Sequence, residues 1–229
     1  MPAHDHAWMQ RLRSRFLVFD GPDGSGKSTQ IKRLVTDAEN AGLEVVTVRE
    51  PGGTYVGEQV RAVLLDPANH DAIDLTAEML LFMASRAQLL AEEVRPAIDR
   101  GALVIADRFI SSTLAYQGTA GGLEPEDILA VGRVAVGQTW PDLVLVFDVD
   151  EQTAAKRMNP LVRQQEFDAA KDRIELRGAA FHRRVRQGYL DQADRDPDHY
   201  AVIDATPDPQ TVSASMLETL AERSVDWSG

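Results

Sequence analysis

Glycine, lysine and hydroxyl-bearing residues are concentrated in the segment DGPDGSGKST, residues 20–29, which directly follows the apolar run FLVF (16–19). Gly21, four intervening residues, and then Gly26, Lys27 and Ser28 give the spacing G-x-x-x-x-G-K-[ST]. Backbone N–H groups in this pattern can curl around phosphate oxygens, and glycine permits the close approach. A plain surface turn is the alternative. We favour a nucleoside-triphosphate loop, with predicted ATP-binding residues Gly21, Gly24, Ser25, Gly26, Lys27, Ser28 and Thr29.

Two arginines follow later apolar runs at the points where strands would end. Arg49 follows VVTV (45–48), and Arg108 comes two residues after ALVIA (102–106). Two guanidinium groups are more than one nucleotide requires, and their planar donor forks match phosphate oxygens. They therefore predict a second phosphorylated ligand beside the first. Structural salt bridges, for instance with Glu50 or Asp107, are the alternative.

A magnesium site is predicted near the same loop. Asp107 directly follows ALVIA, where its carboxylate could hold Mg²⁺ or a water on the metal, while Ser28 supplies a hydroxyl ligand. Asp148, after LVLVF (143–147), is a competing candidate. We favour Asp107, because the adjacent Arg108 would bring an acceptor phosphate to the metal.

The elements that position these side chains are five short apolar segments separated by helical stretches. Continuous apolar character predicts strands covered on both faces of a parallel sheet. The predicted fold class is α/β: a P-loop NTPase three-layer sandwich with a five-stranded parallel sheet and a short lid. Ligands of such sheets bind beyond the carboxyl ends of the strands. The five segments are FLVF (16–19), VVTV (45–48), ALVIA (102–106), LVLVF (143–147) and YAVI (200–203).

Length and composition fit one globular domain of ordinary make-up. The chain has 229 residues, a formal charge of −12 and no cysteine. The negative charge argues against a binder of nucleic-acid backbones or anionic membranes, and the absence of cysteine excludes disulfides and thiolate chemistry. We expect an N-terminal extension over residues 1–15, frayed or in a short helix, and a single domain over 16–229. No signal peptide or membrane span is evident, and a cytoplasmic location is expected.

Several motifs together resemble those of the thymidylate kinase (dTMP kinase) family. They are GPDGSGKSTQ, REPGGT, AEMLLFMASRAQLL, DRFISSTLAYQG, PDLVLVFDV, DRIE and IDAT, and they span roughly residues 14 to 206. REPGGT together with DR…AYQG is far more specific than the phosphate loop alone. The resemblance implies transfer of the γ-phosphoryl group of ATP to dTMP with Mg²⁺, in an enzyme that is usually a homodimer. Met79, Leu80 and Met83 could supply the dimer interface or belong to the core.

The resemblance also implies roles for individual side chains. Arg49 and Arg108 would clamp the dTMP phosphate, Phe82 would stack on thymine, and Arg86 would bond its carbonyl edge. Phe82 and Arg86 are four apart and so share a helix face, although Phe82 could instead belong to the core. Asp23 would accept a hydrogen bond from the 3′-hydroxyl. The remaining implied substrate contacts are Pro51, in a Glu50–Pro51 bond that is cis in relatives, Ser112 and Thr113 near the base, and Tyr116 and Gln117 beside the sugar.

The migrating phosphoryl group needs positive charge around it, which Lys27, Mg²⁺ and a mobile arginine would share, and Arg108 is also a predicted catalytic residue. Members of the family supply that arginine from the phosphate loop or from a lid. Gly24 follows Asp23 here, so the lid must supply it. Residues 156–178 are the candidate lid. Arg163 is the predicted catalytic arginine, Arg157 and Arg173 match other lid positions, and a solvated basic helix face is the alternative.

Two rival functions remain open from the sequence. One is another P-loop kinase, acting on a different nucleoside monophosphate or on a deoxynucleoside. The other is a P-loop switch or motor ATPase, in which the convergent arginines would have no task. The two phosphate-facing arginines argue against the ATPase and against a nucleoside without phosphate, and the Phe82 and Arg86 pair argues for dTMP over another monophosphate.

Overall fold

A computed structural model describes residues 6–69, 72–157, 173–174 and 177–227. Its five strands form one parallel sheet in the order β2-β3-β1-β4-β5. The strands are β1 (Phe16–Asp20), β2 (Val45–Arg49), β3 (Leu103–Asp107), β4 (Leu143–Asp148) and β5 (Tyr200–Asp204). The predicted α/β fold with a five-stranded parallel sheet is confirmed.

Helices connect the strands and cover both faces of the sheet. They are α1 (Lys27–Asn40), α2 (Tyr55–Leu65), α3 (Leu75–Leu89), α4 (Arg95–Asp99), α5 (Ile110–Thr113), α6 (Pro125–Val136), α7 (Glu151–Arg157), α8 (Ala179–Arg195) and α9 (Pro209–Arg223). Two π-helical segments, Leu90–Val94 and Leu114–Thr119, continue α3 and α5. Side chains cap several helices; Asp74, for example, accepts from the N–H of Thr76 and starts α3.

Burial on both faces explains why the strands read as unbroken apolar runs. In β1, Phe16 and Val18 belong to one core cluster, whereas Leu17 and Phe19 belong to another. Successive strand side chains point to opposite faces, so each face contributes its own core. The first cluster also contains Phe109 and Tyr116. This face therefore supports the site described below.

The N-terminal stretch packs against the second core cluster. A 3₁₀ helix covers His6–Leu12, and the side chains of Met9 and Leu12 are fully buried. Arg15 donates to Asp142 at 2.9 Å and to the carbonyl of Trp227 at 2.6 Å, and its guanidinium lies over the Trp227 ring. Of the two expectations for this stretch, residues 6–12 adopt the helical one. No helix within the described ranges is long and apolar enough to cross a membrane.

The carboxyl ends of the three central strands and β2 lie side by side. Phe19, one residue before the end of β1, is in register with Asp107, and Arg49 is in register with Asp107 on the other side. The phosphate loop, the Arg49 loop and the Arg108 loop therefore leave the sheet at one edge. The strands of a parallel sheet all end at the same edge, so the residues that follow them lie close together.

Candidate active site

The phosphate loop is held tightly against the sheet. Gly21 has φ 130°, and a Cβ there would lie 2.4 Å from the carbonyl oxygen of Phe147 in β4. Gly24 and Gly26 also have positive φ, at 78° and 89°. Only glycine meets both demands, close approach and left-handed backbone. The loop ends at Lys27, the first residue of α1, whose N-terminal N–H groups make this a suitable phosphate site.

Lys27 is buried beneath this loop. Its Nζ donates to the carbonyl oxygens of Gly21 at 2.9 Å and Pro22 at 3.0 Å. Burial and the nearby charge of Arg108 lower the pKa of Lys27 below its ordinary value. Ser28 and Thr29 follow at the exposed start of α1. The amino group of Lys27 is thus held at the phosphate loop, where it could neutralise a bound phosphate.

Beside the loop lies a cavity of about 240 Å³. Its walls come from the ends of β2 and β3, from α2 and α3, and from the segment after β3. The structure brings all ten predicted substrate residues to this wall. They are Asp23, Arg49, Pro51, Phe82, Arg86, Arg108, Ser112, Thr113, Tyr116 and Gln117.

Arg108 connects the cavity to the phosphate loop. Its Nη1 donates to the hydroxyls of Tyr189 at 3.0 Å and Ser112 at 3.1 Å, and to the carbonyl of Gly21 at 3.4 Å. Its Nη2 donates to a carboxylate oxygen of Asp23. The guanidinium carbon lies 5.2 Å from the centre of the Tyr116 ring. One cation therefore touches the loop and the cavity at once.

Asp23 remains a carboxylate in this environment. Burial alone would raise the pKa of Asp23, but the positive charges of Arg108 and Lys27 outweigh it, and the pKa falls below its ordinary value. Burial raises the pKa of the neighbouring Tyr116 far above its ordinary value, so that phenol stays protonated. The Tyr116 hydroxyl lies 3.4 Å from a carboxylate oxygen of Asp23. The pair presents one anionic acceptor and one neutral hydroxyl.

Asp20, the last residue of β1, holds this arrangement from below. It is fully buried and accepts hydrogen bonds from the hydroxyls of Ser111 at 2.5 Å, Ser112 at 2.6 Å and Tyr189 at 2.7 Å. Asp20 and Tyr189 were missed by sequence reasoning. A charged residue closing an apolar strand beside the loop was a usable signal for Asp20. Tyr189 lies in the middle of α8, and nothing in its local sequence marks it.

Arg49 lies at the open side of the cavity. Its side chain is half exposed and donates to Glu58 of α2 at 2.8 Å. Glu58 also accepts from the backbone N–H of Gly53 at 2.7 Å, and this bond, with Arg49, lowers the pKa of Glu58. Both arginines do form ion pairs, as the alternative expected, but with other partners than Glu50 and Asp107: Arg49 pairs with Glu58, and Arg108 with Asp23.

Arg86 and Phe82 occupy the deeper wall, on α3. Arg86 is almost fully buried and donates to Glu50 through Nε at 2.8 Å and Nη2 at 2.6 Å. It also donates to Thr113 at 3.1 Å and lies over the Phe109 ring. Phe82 is partly buried, so it packs on the first core cluster and lines the cavity. The two readings of Phe82 are therefore compatible, and the Glu50–Pro51 bond is cis.

The predicted magnesium ligands supply oxygen donors of the kind that this ion prefers. Asp107 lines the cavity, and its negative charge lies close enough to Lys27 to oppose the lowering of the lysine pKa. Both carboxylate oxygens of the competing Asp148 accept from Arg186, at 2.6 and 2.7 Å. Among the described residues no cluster of three histidine or acidic side chains could hold a metal. Ser28 and Asp107 fit a magnesium ion that is held mainly by phosphates and water.

The arginines of the candidate lid have different placements. Arg157 ends α7 and donates to the carbonyls of Ala205 at 2.8 Å and Thr206 at 3.1 Å, close to Gly26 of the phosphate loop. Arg173 is almost fully buried and pairs with Glu78. Arg163, the predicted catalytic arginine, lies outside the described residues.

A glycine-rich phosphate loop at the head of a parallel sheet, with a second basic cavity at the adjacent strand end, defines a P-loop kinase of nucleoside monophosphates. The sequence profile of the thymidylate kinase family matches residues 19–216. The chain belongs to the thymidylate kinase family.

Individual relatives agree over nearly the whole length. The chain is 44% identical over 211 residues to a thymidylate kinase of Pelotomaculum thermopropionicum, covering 92% of this chain and 94% of that one. It is 40% identical over 205 residues to one of Nitratidesulfovibrio vulgaris, covering 90% and 95%. The crystal structure of the Ehrlichia chaffeensis thymidylate kinase is similar with a TM-score of 0.69 and 29% identity, over 90% of this chain and 98% of that one.

Proposed function

We propose that this protein transfers the γ-phosphoryl group of ATP to dTMP, giving ADP and dTDP. The observation that carries the proposal is the position of Arg108, whose guanidinium reaches the phosphate loop at Gly21 and the cavity at Asp23. Phosphoryl transfer requires the two phosphates to meet in line with their charge neutralised. A cation shared by the two sites meets that requirement.

The nucleotides are assigned to opposite sides of Arg108. ATP phosphates occupy the loop Gly21–Thr29 with Lys27, and dTMP occupies the cavity with its phosphate toward Arg49 and Arg108. The deoxyribose lies by Asp23, Tyr116 and Gln117, while the base lies by Phe82, Arg86, Ser112 and the cis Pro51. Asp23 stays ionised because its pKa is lowered, so it can accept a hydroxyl proton in a hydrogen bond.

Mg²⁺ is part of the proposal, with Ser28 and Asp107 as the residues that would hold it. When bound, the ion would neutralise charge on the phosphate oxygens. Arg163 is proposed, from its place in the motif, to add a cation in the transition state; it should therefore affect kcat more than dTMP binding. The chain has no cysteine, which suits a reducing compartment, and we propose the cytoplasm as the place of the reaction.

A homodimer is proposed on the strength of apolar side chains on neighbouring helices. Leu80 on α3 is 48% exposed and Val134 on α6 is 86% exposed, and α3 packs against α6. Met79 and Met83, the other two candidates, are buried in the core. Large exposed apolar side chains on adjacent elements are typical of interfaces. Sedimentation equilibrium measures the oligomeric state directly.

A coupled ADP-release assay tests the function. With ATP and Mg²⁺, we expect turnover of dTMP, slower turnover of dUMP, and none above background with UMP, CMP or AMP. The thymine methyl contributes only about 1–3 kcal/mol in an apolar pocket, so the preference over dUMP should be roughly 10–200-fold. EDTA should stop the reaction and added Mg²⁺ restore it. ATP hydrolysis that does not depend on any monophosphate would instead favour the switch or motor class.

A further inference from the structure

Glu78, in the first turn of α3, is a fully buried carboxylate that the proposed reaction does not use. Its Oε1 accepts from Nε2 of Gln117 at 2.7 Å. Its Oε2 accepts from Nη2 of Arg177 at 2.7 Å and from Nη2 of Arg173. The three donors come from positions 39, 95 and 99 residues away in the chain. One carboxylate therefore joins α3 to two distant parts of the chain, one at Gln117 and one at Arg173 and Arg177.

Among the described residues, two guanidinium groups face the one carboxylate of Glu78, and Arg173 is as buried as Glu78. Arg173 is held further by its Nε, which donates to the carbonyl of Leu64 at 2.9 Å, and by its backbone N–H, which donates to the carbonyl of Leu65 at 3.2 Å. Removing the carboxylate would take this ion-pair partner from the buried Arg173 and from Arg177, and a buried cation that loses its partner is costly. The geometry of the cluster thus depends on Glu78.

Neighbours of the cluster form part of the cavity wall. Gln117, Leu65 and Ile174 line the cavity. Gln117 donates to Glu78, the carbonyl of Leu65 accepts from the N–H of Arg173, and Ile174 follows Arg173 in the chain. Glu78 and Arg173 themselves are not among the lining residues. Because Gln117 donates its amide nitrogen to Glu78, its carbonyl oxygen is the end turned away from the carboxylate. Glu78, which does not itself line the cavity, therefore sets the orientation of the Gln117 amide.

We propose that Glu78 is a positioning residue for the nucleoside monophosphate: it touches no substrate, but it orients the Gln117 amide and secures the wall around Leu65 and Ile174. This inference rests on the proposed function, because it takes the cavity to be the monophosphate site. Among the described residues, neither Glu78 nor its three donors forms a side-chain hydrogen bond with the ATP loop, Gly21–Thr29. Glu78 should therefore affect one substrate and not the other.

Glu78→Gln removes the charge and keeps the shape. We expect the KM for dTMP to rise about tenfold, as the loss of one well-placed hydrogen bond does, while the KM for ATP changes less than about twofold. Glu44→Gln is the matched control, since Glu44 is an exposed carboxylate that pairs with Arg100 at 2.7 Å and does not line the substrate cavity. Its kinetic constants should equal those of the wild type.

A double-mutant cycle with Gln117→Ala tests the route of the effect. If Glu78 acts by orienting Gln117, then Glu78→Gln should raise the KM for dTMP much less in the Gln117→Ala background than in the wild type. Equal increases in both backgrounds would overturn the role of Gln117 as the intermediary. A lower melting temperature with an unchanged KM for dTMP would overturn the positioning role and leave a structural one.

Further variants and the wild type separate the remaining outcomes. Should Glu78→Gln fail to fold, Glu78→Asp keeps the charge and shortens the side chain, and the same selective rise in the KM for dTMP is expected. A wild-type protein that phosphorylates dTMP, with variants whose KM for dTMP is unchanged, contradicts this inference alone. A wild-type protein without activity on dTMP contradicts the proposed function instead.

Discussion

Arg108 is held in an unusual backbone conformation. Its φ is 73°, in the left-handed region that costs a residue with a Cβ about 1–2 kcal/mol. Its side chain nevertheless makes four polar contacts and lies over an aromatic ring. Such strain persists where the surroundings determine the conformation, often at functional sites. The backbone turn is what aims the guanidinium back at Gly21 and Asp23.

Arg108→Gly and Arg108→Ala separate strain from function. Both remove the guanidinium, so both should lower kcat/KM for dTMP by roughly 10²–10³-fold, the loss expected when one preorganised donor is removed. Glycine tolerates the left-handed backbone, so Arg108→Gly should exceed Arg108→Ala in unfolding free energy by about 1 kcal/mol. Urea denaturation and steady-state assays measure the two effects. Equal or greater stability of the alanine variant would show that the turn is not strained.

At the scale of elements, the pair of Glu50 and Arg86 joins the β2–α2 connection to α3. The two side chains are 3% and 1% exposed. Burial raises the pKa of Glu50, and the charge of Arg86 opposes that rise. The pair fixes two walls of the cavity relative to each other. A buried ion pair need not add much to the unfolding free energy, but removing one partner leaves the other as an unpaired buried charge.

Arg86→Met should lower the unfolding free energy by about 3–5 kcal/mol at neutral pH, because ionised Glu50 loses its partner. The pH dependence has a definite sign. Without Arg86 the pKa of folded Glu50 rises further above its unfolded value, so the folded state binds a proton as the pH falls and the deficit shrinks. Urea denaturation at pH 7 and pH 5 should show the larger deficit at pH 7.

The control is Arg86→Met combined with Glu50→Gln, which removes the buried charge together with its partner. This double variant should be more stable than Arg86→Met at pH 7, and its unfolding free energy should lack the pH dependence that Glu50 causes. A deficit for Arg86→Met that is the same at both pH values would contradict the assignment to Glu50 ionisation.

At the scale of the whole molecule, the two faces of the sheet have separate tasks. One face carries the core cluster that includes Phe109, Tyr116 and Ile174 beside the cavity. The other carries a cluster that includes Met9, Leu12 and Leu34. The N-terminal segment therefore contributes to the stability of the domain on the face that does not line the cavity.

Leu12→Ala tests this division. Leu12 is fully buried, so the change should lower the unfolding free energy by about 2–5 kcal/mol. The KM for dTMP should be unchanged at temperatures where the variant is folded. Val225→Ala, at an exposed position, is the control and should alter stability by less than about 0.5 kcal/mol. If the urea unfolding midpoint of Leu12→Ala equals that of the wild type, residues 6–12 do not belong to the core.

Much of the fold and of the cavity wall was predictable because the relevant patterns are local. Five apolar runs between helical stretches suffice for a parallel sheet, and parallel strands bring the residues that follow them to one edge. For this reason Arg49, Asp107 and Arg108 could be placed together from their positions alone. Local composition did not separate Leu80, which is exposed, from Met79 and Met83, which are buried on the same helix.

The sequence by itself determined the phosphate loop and the sheet, because spacing along the chain constrains backbone geometry directly, while its resemblance to the thymidylate kinases supplied most of the side chains expected around the cavity. Only the tertiary structure decided which groups hold those side chains: Asp20 and Tyr189 are 169 residues apart, and Glu78 and Arg173 are 95 apart. Such pairings depend on how helices pack across the sheet. A pattern that repeats every two or four residues carries no information about them.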